Sequence, residues 1–320
     1  MCPGYSWCRR RDVFSVRQAA PLPPEHALTH HPFVFHIGPL AVTGFGIAVL
    51  AAFAIAQLIT QRELERRGQD ARAVPDLLLA AVVGTLVGAK LYFVLIITHD
   101  WHSLFSRSGF VFWGGFIGAS LAVWLMIWRR RLGFMRIADV AGIAVAAGYA
   151  VGRTGCWAIG DDYGKPWNGA LAVAFPQGAP PSTVENMRQI FHVALPANLP
   201  PDAVLSVYPT QLMEVALGLV MFGMLWRLRD HRHAVGWLFG VYLVLAGIER
   251  FIVEFFRAKD DRFLVFNLFT SQGVAIAVTV AGLVWMYALR HTGPGKPGIR
   301  GGTADRRATA GHPVTAASGR

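Results

Sequence analysis

The chain has 320 residues, 54% hydrophobic and only 15% charged, with a net charge of +11. A water-soluble domain carries roughly a quarter charged residues, so this composition excludes an ordinary soluble enzyme and predicts an all-α polytopic membrane protein. Its basic residues form short clusters between long apolar runs, a pattern that argues against nucleic acid and for membrane lipid headgroups as the anionic partner.

Residues 1–37 read as an N-terminal extension, either disordered or translated from a start codon upstream of the true one. They lack the apolar core of a signal peptide and hold Arg9, Arg10, Arg11 and Arg17. From 38 to 290, apolar windows long enough to cross the hydrocarbon recur near 40–60, 77–98, 111–128, 137–157, 209–226, 235–256 and 267–289, which predicts seven transmembrane helices. Arginines collect after the first, third and fifth windows, at Arg66, Arg67, Arg130, Arg131, Arg227 and Arg229. The excess of positive charge marks these turns as cytoplasmic, with the N-terminus outside and the C-terminus inside. The proline-rich stretch 158–207 then becomes a small irregular outer, periplasmic head, and 291–320 a disordered basic cytoplasmic tail. One outer turn, "FRAKDDRF", departs from the charge rule with Arg257, Lys259 and Arg262. Gly84 with Gly88, and Gly148 with Gly152, have the spacing that allows close helix contacts. Cys2, Cys8 and Cys156 are too few and too scattered for a disulfide framework or a zinc site, and Cys156 reads as a packing residue.

Ionisable side chains at membrane depth are costly and therefore candidates for function. Lys90 lies midway along the second window, Arg153 in the last turns of the fourth, and Arg250 and Glu254 in the outer half of the sixth. Arg250 and Glu254 also fit a plain i, i+4 salt bridge that eases insertion. Arg153, Arg250 and Arg257 fall toward the outer side, the last two seven residues apart and so on one helix face, where guanidinium groups make a bidentate phosphate receptor. Gly114 and Gly115 open the third window, where backbone could approach an anionic ligand. "VYPTQLMEV" places Tyr208, Thr210, Gln211 and Glu214 at the mouth of the fifth, with helix capping by Thr210 as the alternative reading.

Together these segments resemble the prolipoprotein diacylglyceryl transferases of bacterial inner membranes. The resemblance covers about residues 35 to 290 and rests on "GPLAVTGFG", "GAKL", "WGGFIGA", "GRTGCWAIGDDYG", "YPTQLMEV" and "ERFIVEFFR", in that order. It implies transfer of the diacylglyceryl group of phosphatidylglycerol to the lipobox cysteine of preprolipoproteins, recognised through their signal peptides, with no metal or soluble cofactor. By motif, Arg153 and Arg250 match the family's essential arginines, Asp161 and Gly164 its signature acid and glycine, and Glu254 and Arg257 the continuation of the sixth-helix motif. Several positions depart from the pattern: Trp113 replaces a histidine proposed as a base, Phe45 a tyrosine, Cys156 an asparagine, Tyr208 a histidine and Lys90 an arginine.

On this reading Arg153 and Arg250 clamp the phosphate with help from Arg257, while Asp161, Asp162 and Tyr208 are candidates for moving a proton. Gly114, Gly115, Gly164, Gln211, Glu254 and Lys90 are expected to line the lipid site. A non-catalytic phospholipid-binding relative that lost its proton-handling residues is the alternative, favoured by Trp113 and Phe45. A transporter fits less well, because no inverted repeat is visible and the charges gather toward one side.

Overall fold

A computed structural model describes residues 28–38, 40–105, 111–258 and 270–291. Strand β1 (Leu28–Thr29) leads to a hairpin of β2 (Val34–Ile37) and β3 (Leu40–Thr43), and α1 (Gly44–Arg66) starts directly after it. Thr43 caps α1 through its side chain, which accepts a hydrogen bond from the Gly46 N–H at 3.2 Å. Next come α2 (Val74–Tyr92), continued by a wider π-helical turn at Phe93–Thr98, then α3 (Phe112–Arg129) and α4 (Phe134–Ile159). The stretch beyond α4 carries β4 (Val173–Ala174), α5 (Val184–Gln189) and β5 (Ser206–Val207) before α6 (Thr210–Leu228), α7 (Trp237–Glu254) and α8 (Thr270–Ala288).

Seven of the described helices have 18 residues or more, one in each of the apolar windows. Five stretches, 44–66, 71–98, 134–159, 210–228 and 270–288, are long and apolar enough to cross a membrane. Helix α7 is apolar too but carries Glu249, Arg250 and Glu254. Large apolar side chains point outward all round the bundle, among them Leu50, Leu79, Leu121, Trp128 and Val284. Such a surface suits hydrocarbon rather than water, and the protein is a multi-pass membrane protein.

Of the extension expected over 1–37, residues 28–37 are structured: β1 pairs in parallel with β4, and β4 in turn pairs antiparallel with β5. Residues 1–27, the basic tail from 292, and Lys259 and Arg262 lie outside the described residues. The segment between α4 and α6 has its own apolar core of Tyr163, Phe175, Val184, Met187 and Leu205. Tyr163 stacks on Phe175 at 5.2 Å and donates its hydroxyl to the Pro180 carbonyl at 2.8 Å.

The long helices pack as α2 on α3, α1 on α4 and α7 on α8, with α6 and α7 joining α4. The α2–α3 crossing is made of glycine. A Cβ on Gly88 would lie 2.3 Å from the Gly114 carbonyl oxygen, and one on Gly118 would lie 2.2 Å from that of Gly84. Gly114 and Gly115, expected from sequence to line a ligand site, take part in this crossing. Their Cα faces are closed by Tyr92, Gly88 and Thr85 of α2, so they serve helix packing.

The arginine-rich helix ends meet at one end of the bundle. Buried Glu63 pairs there with Arg66 and, at 3.0 Å, with Arg67, and Arg66 reaches Asp230 at 2.7 Å. Asp139, fully buried on α4, caps α7 from a distance by accepting the N–H groups of Gly236 (2.7 Å) and Phe239 (3.0 Å). The C-terminal end of α4, the start of α6 and the end of α7 are brought together at the opposite end.

Replacing Gly88 or Gly118 with Leu should lower the unfolding midpoint of the detergent-solubilised protein, by about 1–3 kcal/mol or more of stability. Gly223→Leu, at a position with no neighbouring atom within 4 Å, should leave the thermal melt unchanged.

Candidate functional site

The segment after α4 is built to turn sharply and come back. Gly160 closes the helix in the left-handed conformation, φ +69°, and the Asp161 N–H bonds back to the Cys156 carbonyl at 2.9 Å. Asp162 is itself left-handed at φ +60°, a conformation aspartate tolerates better than most residues. Gly164 then passes so close to the neighbouring chain that a Cβ would sit 2.4 Å from the Phe256 carbonyl oxygen. Its N–H donates to the Tyr208 carbonyl at 2.8 Å, and it bridges to Arg257. Gly164 is therefore a close-approach glycine that ties three segments together.

Two side chains at the start of α6 fix this turn. Thr210 donates its hydroxyl to the Asp162 carbonyl and Gln211 its amide to the Asp161 carbonyl, each at 2.7 Å. Thr210 is thus a cross-link between segments, and the residue preceding α6 makes no side-chain cap. Arg257 is not on the face of α7 with Arg250, as the spacing of seven suggested. The helix ends at Glu254, and Arg257 is carried past it by the bridge to Gly164.

The three arginines nevertheless converge, and the residue they converge on is Glu214 of α6, which is fully buried. Its Oε1 lies 3.0 Å from Arg153 Nη2, 3.4 Å from Arg257 Nη1 and 3.9 Å from Arg250 Nη1. Asp162 bridges two of them, with Oδ2 at 2.7 Å from Arg153 and Oδ1 at 2.6 Å from Arg257. Arg250 pairs with Glu254 at 2.7 Å, the i, i+4 contact expected from sequence. Exposure is graded: the Arg257 side chain retains 9%, Arg153 18% and Arg250 29%. Arg250 and Arg153 thus keep more open surface than Arg257.

Around this core, Arg153 lies over the ring of Tyr149, one turn earlier on α4, with its Cζ 5.3 Å from the ring centre. The Tyr149 hydroxyl donates to Glu249 Oε1 at 2.8 Å. Cys156 is buried, as its packing reading required, with Sγ 3.7 Å from Arg153 Nη1. Glu214 was singled out in "VYPTQLMEV" without being matched to the arginines, and Tyr149 and Glu249 were not among the residues expected to form the site. The signals present in the sequence were the i, i+4 spacing of Tyr149 and Arg153 and a glutamate just inside α6.

The candidates for proton handling fare differently. Burial by itself would push the Asp162 carboxyl up, but Arg257 and Arg153 outweigh it and hold it below the usual range. A carboxylate tied to two guanidinium groups is an anchor and a poor base. Burial and the neighbouring Asp162 push Asp161 up instead, while its Oδ1 accepts the Asp162 N–H at 2.7 Å. Tyr208 stacks flat on Trp167 at 4.3 Å, and burial pushes its hydroxyl up. The Tyr208 Cβ lies beside Gly164. Lys90 is buried on α2 with Nζ 5.7 Å from the centre of the Phe93 ring, on a helix that packs against α3, whereas the arginine cluster is built from α4, α6 and α7.

Comparison with known proteins bears directly on this cluster. The family model described as prolipoprotein diacylglyceryl transferase matches residues 32–288. The chain belongs to the prolipoprotein diacylglyceryl transferase family. It is similar to the phosphatidylglycerol–prolipoprotein diacylglyceryl transferase of Paraburkholderia phymatum, at 30% identity over 82% of this chain and 94% of the relative. The protein of the same name from Burkholderia thailandensis is also 30% identical, over 83% of this chain and 97% of the relative. The matched stretch takes in every residue of the cluster, from Tyr149 to Arg257. Membership supports an enzyme of lipoprotein biosynthesis acting at a membrane.

The depressed Asp162 carboxyl gives a pH test with a fixed sign. Its pairing contributes stability fully present above the unfolded-state value of about 3.9 and lost as pH falls through the lower folded-state value. The stability gap between wild type and Asp162→Asn, read from denaturation midpoints, should be constant between about pH 5 and 7 and close progressively below about pH 4.

Proposed function

We propose that this protein transfers the diacylglyceryl group of phosphatidylglycerol to the thiol of the lipobox cysteine of preprolipoproteins. The observation that carries this reading is the meeting of Arg153, Arg250 and Arg257 around one carboxylate oxygen of Glu214. The reaction displaces a phosphate from a glycerol carbon by sulfur. Negative charge therefore grows on the leaving phosphate oxygen, and preorganised guanidinium groups in a water-poor site stabilise it most effectively. Arg250 and Arg153, the more exposed pair, take the phosphate. Arg257, held by Asp162 and Glu214, keeps the other two in position. A guanidinium carries five N–H donors, so pairing with a carboxylate leaves donors for the lipid.

In this reading all seven long helices span the bacterial inner membrane as one domain over about 38–290. The arginine-rich ends at Arg66, Arg130 and Arg229 face the cytoplasm. The segment between α4 and α6 then stands as a periplasmic head above the cluster, where signal peptides of exported lipoproteins arrive. The N-terminus lies outside and the C-terminus in the cytoplasm.

A second reading has one observation in its favour. Asp162, Glu214 and Glu254 match the three arginines charge for charge, as suits a phospholipid-binding relative without catalysis. Restoration of lipoprotein modification in cells depleted of their own transferase separates the two, because a binder restores nothing.

Arg153→Ala and Arg250→Ala should each cut lipid labelling of a lipobox peptide by about a hundredfold or more while the protein remains inserted. Arg153→Lys should recover little, since the planar fork is lost. Full activity in either alanine variant would contradict the assignment.

A further inference from the structure

We infer that Tyr149 and Glu249 form the proton-accepting pair of the site, Tyr149 taking the proton of the acceptor thiol as its own passes to Glu249. The inference rests on the transferase reading and adds the base that reading lacks. The pair is built from two helices and shaped by a third. Tyr149 stands on α4 one turn before Arg153, Glu249 on α7 next to Arg250, and Gly218 of α6 leaves room for the ring, where a Cβ would approach Tyr149 Cδ1 to 3.1 Å. The phenol donates to the carboxylate at 2.8 Å, and the face of its ring lies against the Arg153 guanidinium.

The carboxylates of the cluster divide by their partners. Asp162, Glu214 and Glu254 each meet an arginine at 3.0 Å or less. Glu249 is also buried, with 8% exposure, yet the group at hydrogen-bond distance is the Tyr149 hydroxyl. A buried carboxylate bonded to a neutral donor accepts a proton more readily than one tied to guanidinium, because protonation breaks no ion pair. Tyr149 is half-buried and Glu249 buried, with 8% exposure, and in this inference the incoming thiol meets the phenol before the carboxylate. Other charged and titratable groups around the pair are Arg153, Arg250, Arg257, Glu214 and Tyr242.

The step balances. The S–H electron pair stays on sulfur and forms the S–C bond to the glycerol carbon. The C–O pair leaves with the phosphate oxygen. The thiol proton replaces that of Tyr149, whose own proton rests on Glu249 until the departing phosphate monoester takes it up.

Glu249→Gln and Tyr149→Phe preserve shape and keep the ring over Arg153. Each variant would be assayed in phosphatidylglycerol-containing micelles with two lipobox peptides, one carrying cysteine and one selenocysteine, whose selenol is ionised at neutral pH and needs no base. With the cysteine peptide, kcat at neutral pH should fall by about a hundredfold, and the rate should climb as pH approaches the thiol value of about 8.5. With the selenocysteine peptide, the rate should stay within about twofold of wild type. Equal losses with both peptides would mark a structural role and overturn the inference, as would full activity with cysteine. A wild-type protein inert to both would instead overturn the transferase reading itself, and this inference with it.

Discussion

Glu214 holds the site together because it is one buried negative charge shared by three guanidinium groups. Without it, Arg153, Arg250 and Arg257 would be like charges crowded in a low-dielectric space, and they would repel. Their positions are therefore conditional on α6 delivering that carboxylate between α4 and the end of α7. The same contact gives the cluster its character: near-neutral as it stands, with two arginines still partly exposed toward an incoming anion.

The backbone serves that geometry. A left-handed Gly160 stops α4, a left-handed Asp162 turns its carboxylate between Arg153 and Arg257, and Gly164 lets three segments touch where any side chain would collide. Thr210 and Gln211 hold the turn by its carbonyls. At the opposite end, Glu63 gathers Arg66 and Arg67, and Asp139 supplies the cap that α7 lacks locally. Both ends of the α4–α6–α7 core are thus fixed by buried acids, while its middle is fixed by small residues such as Gly142 and Gly218.

The positions at which this chain departs from its family's pattern now have surroundings. Phe45 of α1 packs on Gly155 of α4, and Cys156 lies beside Arg153. Trp113 stands half-exposed in the first turn of α3. None of the three sits in the ring of carboxylates around the arginines. The carboxylates that pair with the arginines are supplied by other residues, and the proposed proton acceptor, Tyr149 with Glu249, lies beside them.

The sequence by itself determined the elements that depend on local pattern. Runs of about twenty apolar residues fix where the long helices fall, paired glycines mark where two helices can touch, and arginines too costly to bury idly point to the functional end. Arg153 and Arg250 were legible for that reason. Beyond the i, i+4 pair of Arg250 with Glu254, the partner of each acid was decided by tertiary structure, because Glu214 meets its three arginines across 36 to 61 residues of chain, Asp162 meets Arg257 across 95 and Glu249 meets Tyr149 across 100. Likewise the close packing of Gly114 against α2 and of Gly164 against the chain near Phe256 became visible only with the fold. A side chain's role at membrane depth is set by what neutralises it, and sequence spacing carries no information about a partner on another helix.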